Sequence, residues 1–159
     1  MTTPLPADQF TARLGQAITT GQEGRREEAR AAFAAIWVDV DAGGDPLQRC
    51  MTAHHAADVE DDPRDELAWD LRSLDAADSV TDAGAAAAGA TGPVAAFYPS
   101  LHLNLGEDHR KLGDLAAARR HLDLGRQAAA ALGDDAYGAM IKGGLAGLAE
   151  RLSAPSADG

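Results

Sequence analysis

Apolar residues along this chain recur mostly at intervals of three and four, the period of an amphipathic helix, and breaks at glycine and proline divide them into seven segments. The first, from about Ala7 to Gly21, carries Phe10, Leu14, Ala17 and Ile18 on one face and breaks at Gly21 and Gly24. The second has Glu27 and Glu28 in its first turn, where the positive end of the helix dipole favours carboxylates. Its buried face is Phe33, Ile36, Trp37 and Val40, and Gly43-Gly44 ends it. Asp45-Pro46 is an N-cap followed by a proline at the first helical position. It opens a third helix running through Leu47, Cys50, Met51 and His54 to about Val59. Asp62-Pro63 repeats the signal for a fourth, with Leu67, Leu71 and Leu74 as the predicted buried stripe. The stretch TDAGAAAAGATG, residues 81–92, has no large apolar residue and predicts a surface linker with partial helix. Pro93 or Pro99 opens a fifth helix and Asp114 a sixth. Asp134-Asp135 opens a seventh, along which Tyr137, Ile141, Gly144, Leu148 and Leu152 keep the helical period. The pattern predicts one all-α domain over residues 1–152 and a disordered tail over 153–159.

Within this pattern, Leu105-Gly106, Gly113-Asp114-Leu115, Ala118, Leu122 and Gly125 form one helix-turn-helix unit. A small residue at Gly106 lets a second helix approach closely, and Gly113-Asp114 supplies a helix end followed by a new start. The spacing resembles a tetratricopeptide repeat over about residues 99–132, a module of about 34 residues. His102 and His109 stand where that repeat carries its large aromatic residues. Leu14-Gly15, Ile18, Ala29, Phe33 and Ile36 match the pattern again if two residues are inserted at the turn, and the third and fourth helices form a degenerate pair. The resemblance implies a right-handed superhelix of three antiparallel helix pairs plus a C-terminal capping helix. The alanine-rich, acidic chain looks like small bacterial members of this class from high-GC, actinobacterial-type genomes.

In such arrays the first helix of each pair lines a concave groove, so the resemblance carries the ligand-facing role to Arg13, Arg49, Thr52, His55, Asn104, Arg110 and Lys111. Arg13, Arg49 and Asn104 fall at the same repeat position, a column able to hold a carboxylate or a backbone segment through bidentate hydrogen bonds. The function implied is a scaffold or adaptor that binds a protein or peptide, with no cofactor and with homodimerisation open.

Composition narrows the classes of partner. Aromatics are 4% against 45% hydrophobic residues, a balance leaning on Ala and Leu that favours close-packed helices. A formal net charge of −11 argues against nucleic acid and anionic membranes as partners. Cys50 is the lone cysteine, which rules out an internal disulfide. The first residues show neither a basic leader nor an apolar run, so a cytoplasmic location is expected.

Two chemical constellations compete with the binding reading. Cys50, His54 and Asp58 recur at i, i+4 and i+8, a spacing considered for a transition metal, although no HExxH or paired-cysteine motif accompanies them. His54, His55, Asp58, His102, Asp108 and His109 form a His/Asp collection that would supply a general base and its orienting carboxylate if the first helices of two repeats faced one another. No nucleophile motif or phosphate loop joins them, and His54 and His109 also read as packing residues. Trp69 lies off the leucine stripe, as a packing residue or a partner anchor. Asp58, Glu60, Asp61 and Asp62 read as a solvated acidic turn.

Overall fold

The polar residues that precede the apolar runs cap helices in the computed structural model, which describes residues 4–154. Asp45 Oδ1 accepts from the Leu47 and Gln48 amides, Asp62 from Arg64 and Asp114 from Ala117, at 2.8–3.2 Å. Asp135 accepts from Gly138 at 2.7 Å. Each satisfies an amide that a helix start leaves without an intrahelical partner. The described residues form eight α-helices: α1 (Ala7–Gln22), α2 (Arg26–Asp41), α3 (Pro46–Ala57), α4 (Pro63–Ala77), α5 (Asp82–Ala87), α6 (Tyr98–Lys111), α7 (Leu115–Ala128) and α8 (Ala136–Ser153). Among the described residues there is no strand, and no helix is long and apolar enough to cross a membrane. Ser153 closes α8, so the tail expected from 153 begins one helical residue too early, and its residues 155–159 lie outside those described.

The chain divides into two compact units, Met1–Val94 and Ala95–Gly159. In the first, α1 and α2 pack together, and α3 touches both while pairing with α4. Phe10, Leu14 and Ala17 of α1 meet Ala29, Phe33, Ile36 and Val40 of α2, with Ala56 and Val59 closing the cluster. Trp37 and Trp69 pack against its edge, ring edge to ring face at 5.3 Å. Arg72 lies over Trp69 at 4.4 Å, and the Trp69 indole N–H donates to Glu60 at 3.0 Å. Trp69 is a packing residue of this unit.

The leucine stripe expected on α4 is not its buried face. Leu71 is exposed, whereas Asp70, Ser73, Ala76 and Ala77 are buried. Small residues win this face because α3 comes close. Ser73 Oγ donates to the Cys50 carbonyl at 2.9 Å and lies 3.4 Å from its thiol. The partial helix expected within 81–92 is α5, capped by Thr81, but its Ala85 is fully buried where a surface linker was expected. Other stripe members also turn outward: Met51, Leu115 and Tyr137 are exposed.

In the second unit, α6 and α7 pair and α8 packs on both. Ala118 and Leu122 of α7 join Ile141, Leu145, Leu148 and Leu152 of α8 in one cluster. Glycines set these approaches. A β-carbon added at Gly106 would meet Leu148 Cδ2 at 2.6 Å, and one at Gly125 would meet Leu145 Cδ2 at 2.8 Å. Glu107 ties α6 to α8 by pairing with both Arg110 and Arg151.

The turns of α1–α2 and α6–α7 are alike bond for bond. Gly24 (φ +83°) donates to Gly21 and Arg25 to Thr20, while Gly113 (φ +82°) donates to Arg110 and Asp114 to His109. Both glycines sit in the left-handed region that other residues rarely adopt. The turns are therefore of equal length, and the two-residue insertion expected in the first pair is absent. In that register Ala17, fully buried, is the counterpart of Gly106, and Gly15 instead faces open space.

Candidate functional site

The second half of α3 ends beside the α1–α2 turn, and the three segments enclose a cavity of about 280 Å³. Its floor is apolar: Ile18 from α1, Phe33 from α2 and Val59 just past α3. Gly21 permits the closeness, because a β-carbon there would lie 2.9 Å from Val59 Cγ1. Gln22, Arg26, His55 and Asp58 form the rim.

The acidic turn that follows Asp58 is solvent-exposed, as expected, and two arginines dock it against α2. Arg26 donates to Asp61 at 2.9 Å and to the Glu60 carbonyl at 3.0 Å. Arg30 donates to the Asp61 carboxylate at 2.8 Å and to the Val59 carbonyl at 3.1 Å. Hydrogen bonds from Arg30 and then Arg26 hold the Asp61 carboxyl below its ordinary range. Glu60 accepts from Trp69, and Asp62 caps α4. His55 Nδ1 stands 3.8 Å from the Asp58 carboxylate, so the rim offers a nitrogen and an acceptor side by side. Two of the five N–H donors of Arg26 are committed to the turn, which leaves donor capacity at the cavity mouth.

Other expected site residues lie apart from this cavity. Arg13 is paired with Asp39 of α2 at 2.6 Å. Arg49 leans on Trp37 with Asp41 at 3.8 Å, so both arginines already have carboxylate partners within the unit. Thr52 is fully buried with its hydroxyl donating to the Gln48 carbonyl, and it faces a helix interface rather than an open groove. Asn104 is half-buried on α6, Arg110 pairs with Glu107 and Lys111 is exposed. The carboxylate of Asp108 is fully buried on α6, in the second unit.

Cys50, His54 and Asp58 do not converge. A rise of ~1.5 Å per residue separates the ends of an i, i+8 set by about 12 Å, far more than the ligands of one ion span. Among the described residues their donor atoms form no metal-sized group. Cys50 points at Ser73, and burial pushes its thiol up from the ordinary value. Burial, then the neighbouring His55, pushes the His54 imidazole down, and its Nδ1 is enclosed without a hydrogen-bond partner.

The second unit holds a column that sequence reading caught only in part. His121 of α7 lies between His102 and His109 of α6, with ring centroids 5.3 and 5.4 Å away. Burial first, then His102 and His109, pushes the His121 pKa down to about 4. Asp114 stands 3.8 Å from His109 Nδ1. His102 and His109 were visible at i, i+7 on one helix face. His121 emerges only when α7 is folded back about Gly113, a reflection that places it between them. Gln22 and Arg26 were likewise missed, although Arg26 and Arg30 at i, i+4 opposite an acidic run were a legible sign of a docked turn.

Comparison with known protein families, with curated proteins and with solved structures finds nothing that matches this chain.

Proposed function

We propose that this chain is a peptide-binding helical protein of the tetratricopeptide-like kind, and that it seats an apolar side chain of its partner in the cavity between α1, α2 and α3. The observation that carries this reading is the composition of that cavity: an apolar floor of Ile18, Phe33 and Val59 beneath a rim that both donates and accepts hydrogen bonds. A volume of about 280 Å³ lies just below the usual range for small-ligand pockets, ~300–1,000 Å³, and suits one side chain rather than a whole cofactor. Gln22 and Arg26 can donate to a peptide carbonyl, and Asp58 can accept from a peptide N–H. The repeat reading is supported by the equivalent turns at Gly24 and Gly113 and by the match of Ala17, Ala29 and Phe33 with Gly106, Ala118 and Leu122. The internal pairing of Arg13 and Arg49 shifts the expected specificity from a carboxylate toward an apolar anchor.

Capped tripeptides with central Leu, Phe or Asp provide the probe, read by amide chemical shifts of the full chain. The Leu and Phe peptides should perturb Gly21, Gln22 and Val59, and the Asp peptide should not. Ile18→Trp, which fills the cavity from its apolar floor, should weaken binding at least fivefold, and His55→Gln should weaken it less. Perturbations centred elsewhere, or unaltered by Ile18→Trp, would refute the assignment.

A further inference from the structure

We propose that Gln48 clamps the backbone of a bound peptide, forming a second peptide subsite at the N-terminal end of α3. In this structure the chain's own Pro4-Leu5-Pro6 arm fills it, and a partner's extended segment with an apolar side chain at the clamped residue takes the arm's place. This rests on the reading of the chain as a peptide binder, but not on the cavity at the other end of α3. Gln48 is buried, with 9% of its surface exposed, and its side-chain amide donates to the Leu5 carbonyl at 3.0 Å. Leu5 packs its side chain against the core cluster of α1 and α2. Extended peptides are recognised in this way, through hydrogen bonds to the main chain and an apolar seat for the side chain.

The arm is shaped for the seat. A proline on either side of Leu5 favours an extended course, with Pro6 at φ −57° and ψ 143°. Yet it is an incomplete occupant. Gln48 Oε1 is enclosed and, among the described residues, has no hydrogen-bond partner. In an extended residue the N–H and C=O point to the same side, so one residue of a partner can donate to Oε1 while accepting from Nε2. A segment that meets both atoms makes a bond that the arm does not. The tether gives the arm a high effective concentration, so a peptide enters only by outcompeting it. Gln48 and His55 are seven residues apart, ~10 Å along α3, with the fully buried Thr52 between them. The subsite and the cavity are therefore separate seats.

The probe is the capped tripeptide with central Leu, followed through the side-chain NH2 signals of Gln48 in the full chain. Leu5→Gly removes the arm's apolar contact. In that variant the peptide should shift the Gln48 signals saturably and bind there at least fivefold more tightly than in wild type, while the Asp peptide leaves them unmoved. A peptide with central N-methyl-leucine, which lacks the N–H, should bind at Gln48 at least threefold more weakly. Ile18→Trp added to Leu5→Gly blocks the cavity and should spare the Gln48 response, so either assignment can fail alone. Circular dichroism checks the fold of each variant. Should Leu5→Gly fail to fold, the wild-type chain gives the answer under excess peptide: the Leu5 amide and the Gln48 side chain should move together, as displacement requires. Gln48 signals that stay still in Leu5→Gly, that respond equally in wild type, or that move while Leu5 does not would overturn the proposal, as would equal binding of the N-methylated peptide.

Discussion

His54 shows how a single residue type can be read in two chemical directions. Its spacing with Cys50 and Asp58 is visible in sequence, but whether three side chains meet depends on distance along the helix axis and on what each one touches. Cys50 is claimed by Ser73 and Asp58 by His55, which leaves His54 to pack edge-on against the His55 ring at 5.3 Å. The enclosed, unpartnered Nδ1 of His54 should cost stability, since a buried polar atom without a partner forfeits ~1–3 kcal/mol of hydration. His54→Phe keeps the ring and removes that atom. Thermal unfolding should therefore show unchanged or higher stability, by up to about 1 kcal/mol. A loss exceeding about 1 kcal/mol would mean that the imidazole makes a polar contact essential to the fold.

At the scale of elements, helix starts were the most legible feature, because a cap acts over three residues and its chemistry is local. Asp45, Asp62, Asp114 and Asp135 all accept amides where the sequence placed helix starts. The faces were less legible wherever a close helix approach replaced large apolar residues with small ones. On α4 the period of Leu67, Leu71 and Leu74 is genuine, yet Ser73, Ala76 and Ala77 take the buried side because only small groups fit against α3. Ala17, not Gly15, is the small residue of α1 for the same reason: Gly15 borders open space. Gly106 is the case where sequence and packing agree. Any side chain there must displace the fully buried Leu148, and a leucine adds three further carbons. Gly106→Leu should lower stability by ~1–3 kcal/mol, the usual cost of overpacking, measurable by urea unfolding. Gly15→Leu, which projects into open space from mid-helix, supplies the contrast and should not destabilise, gaining up to about 1 kcal/mol of helix propensity. Equal effects at the two sites would mean that Gly106 does not set the approach of α6 to α8.

For the whole molecule, two electrostatic effects pull against each other as the solution is acidified. The net charge of −11 falls toward zero near the isoelectric point of 4.7, and relief of self-repulsion favours the folded state. The enclosed histidines act in the opposite sense. His121 titrates near 4 in the folded protein against an ordinary value of 6.5, so between those values the unfolded chain binds a proton that the folded one refuses. Its contribution is intact above pH 6.5 and is lost progressively as pH falls toward 4. His54 is shifted in the same direction, and its protonation penalises folding in the same way. The gap for His121 would amount to ~3 kcal/mol if fully expressed, but the ring is half-buried and solvent screens it, so about 1 kcal/mol is expected. Salt separates the two effects. At physiological ionic strength the screening length is ~8 Å, which suppresses repulsion among surface carboxylates and leaves the desolvation of the histidines largely intact. Melting temperature measured in 0.15 M salt should then fall by a few degrees between pH 7 and pH 4.5. His121→Gln should flatten that slope while changing the value at pH 7 far less, because the wild-type ring is uncharged there. A wild-type melting temperature that rises on acidification at this salt concentration, or an equally steep slope in His121→Gln, would show that surface charge rather than the histidine column governs the acid limb.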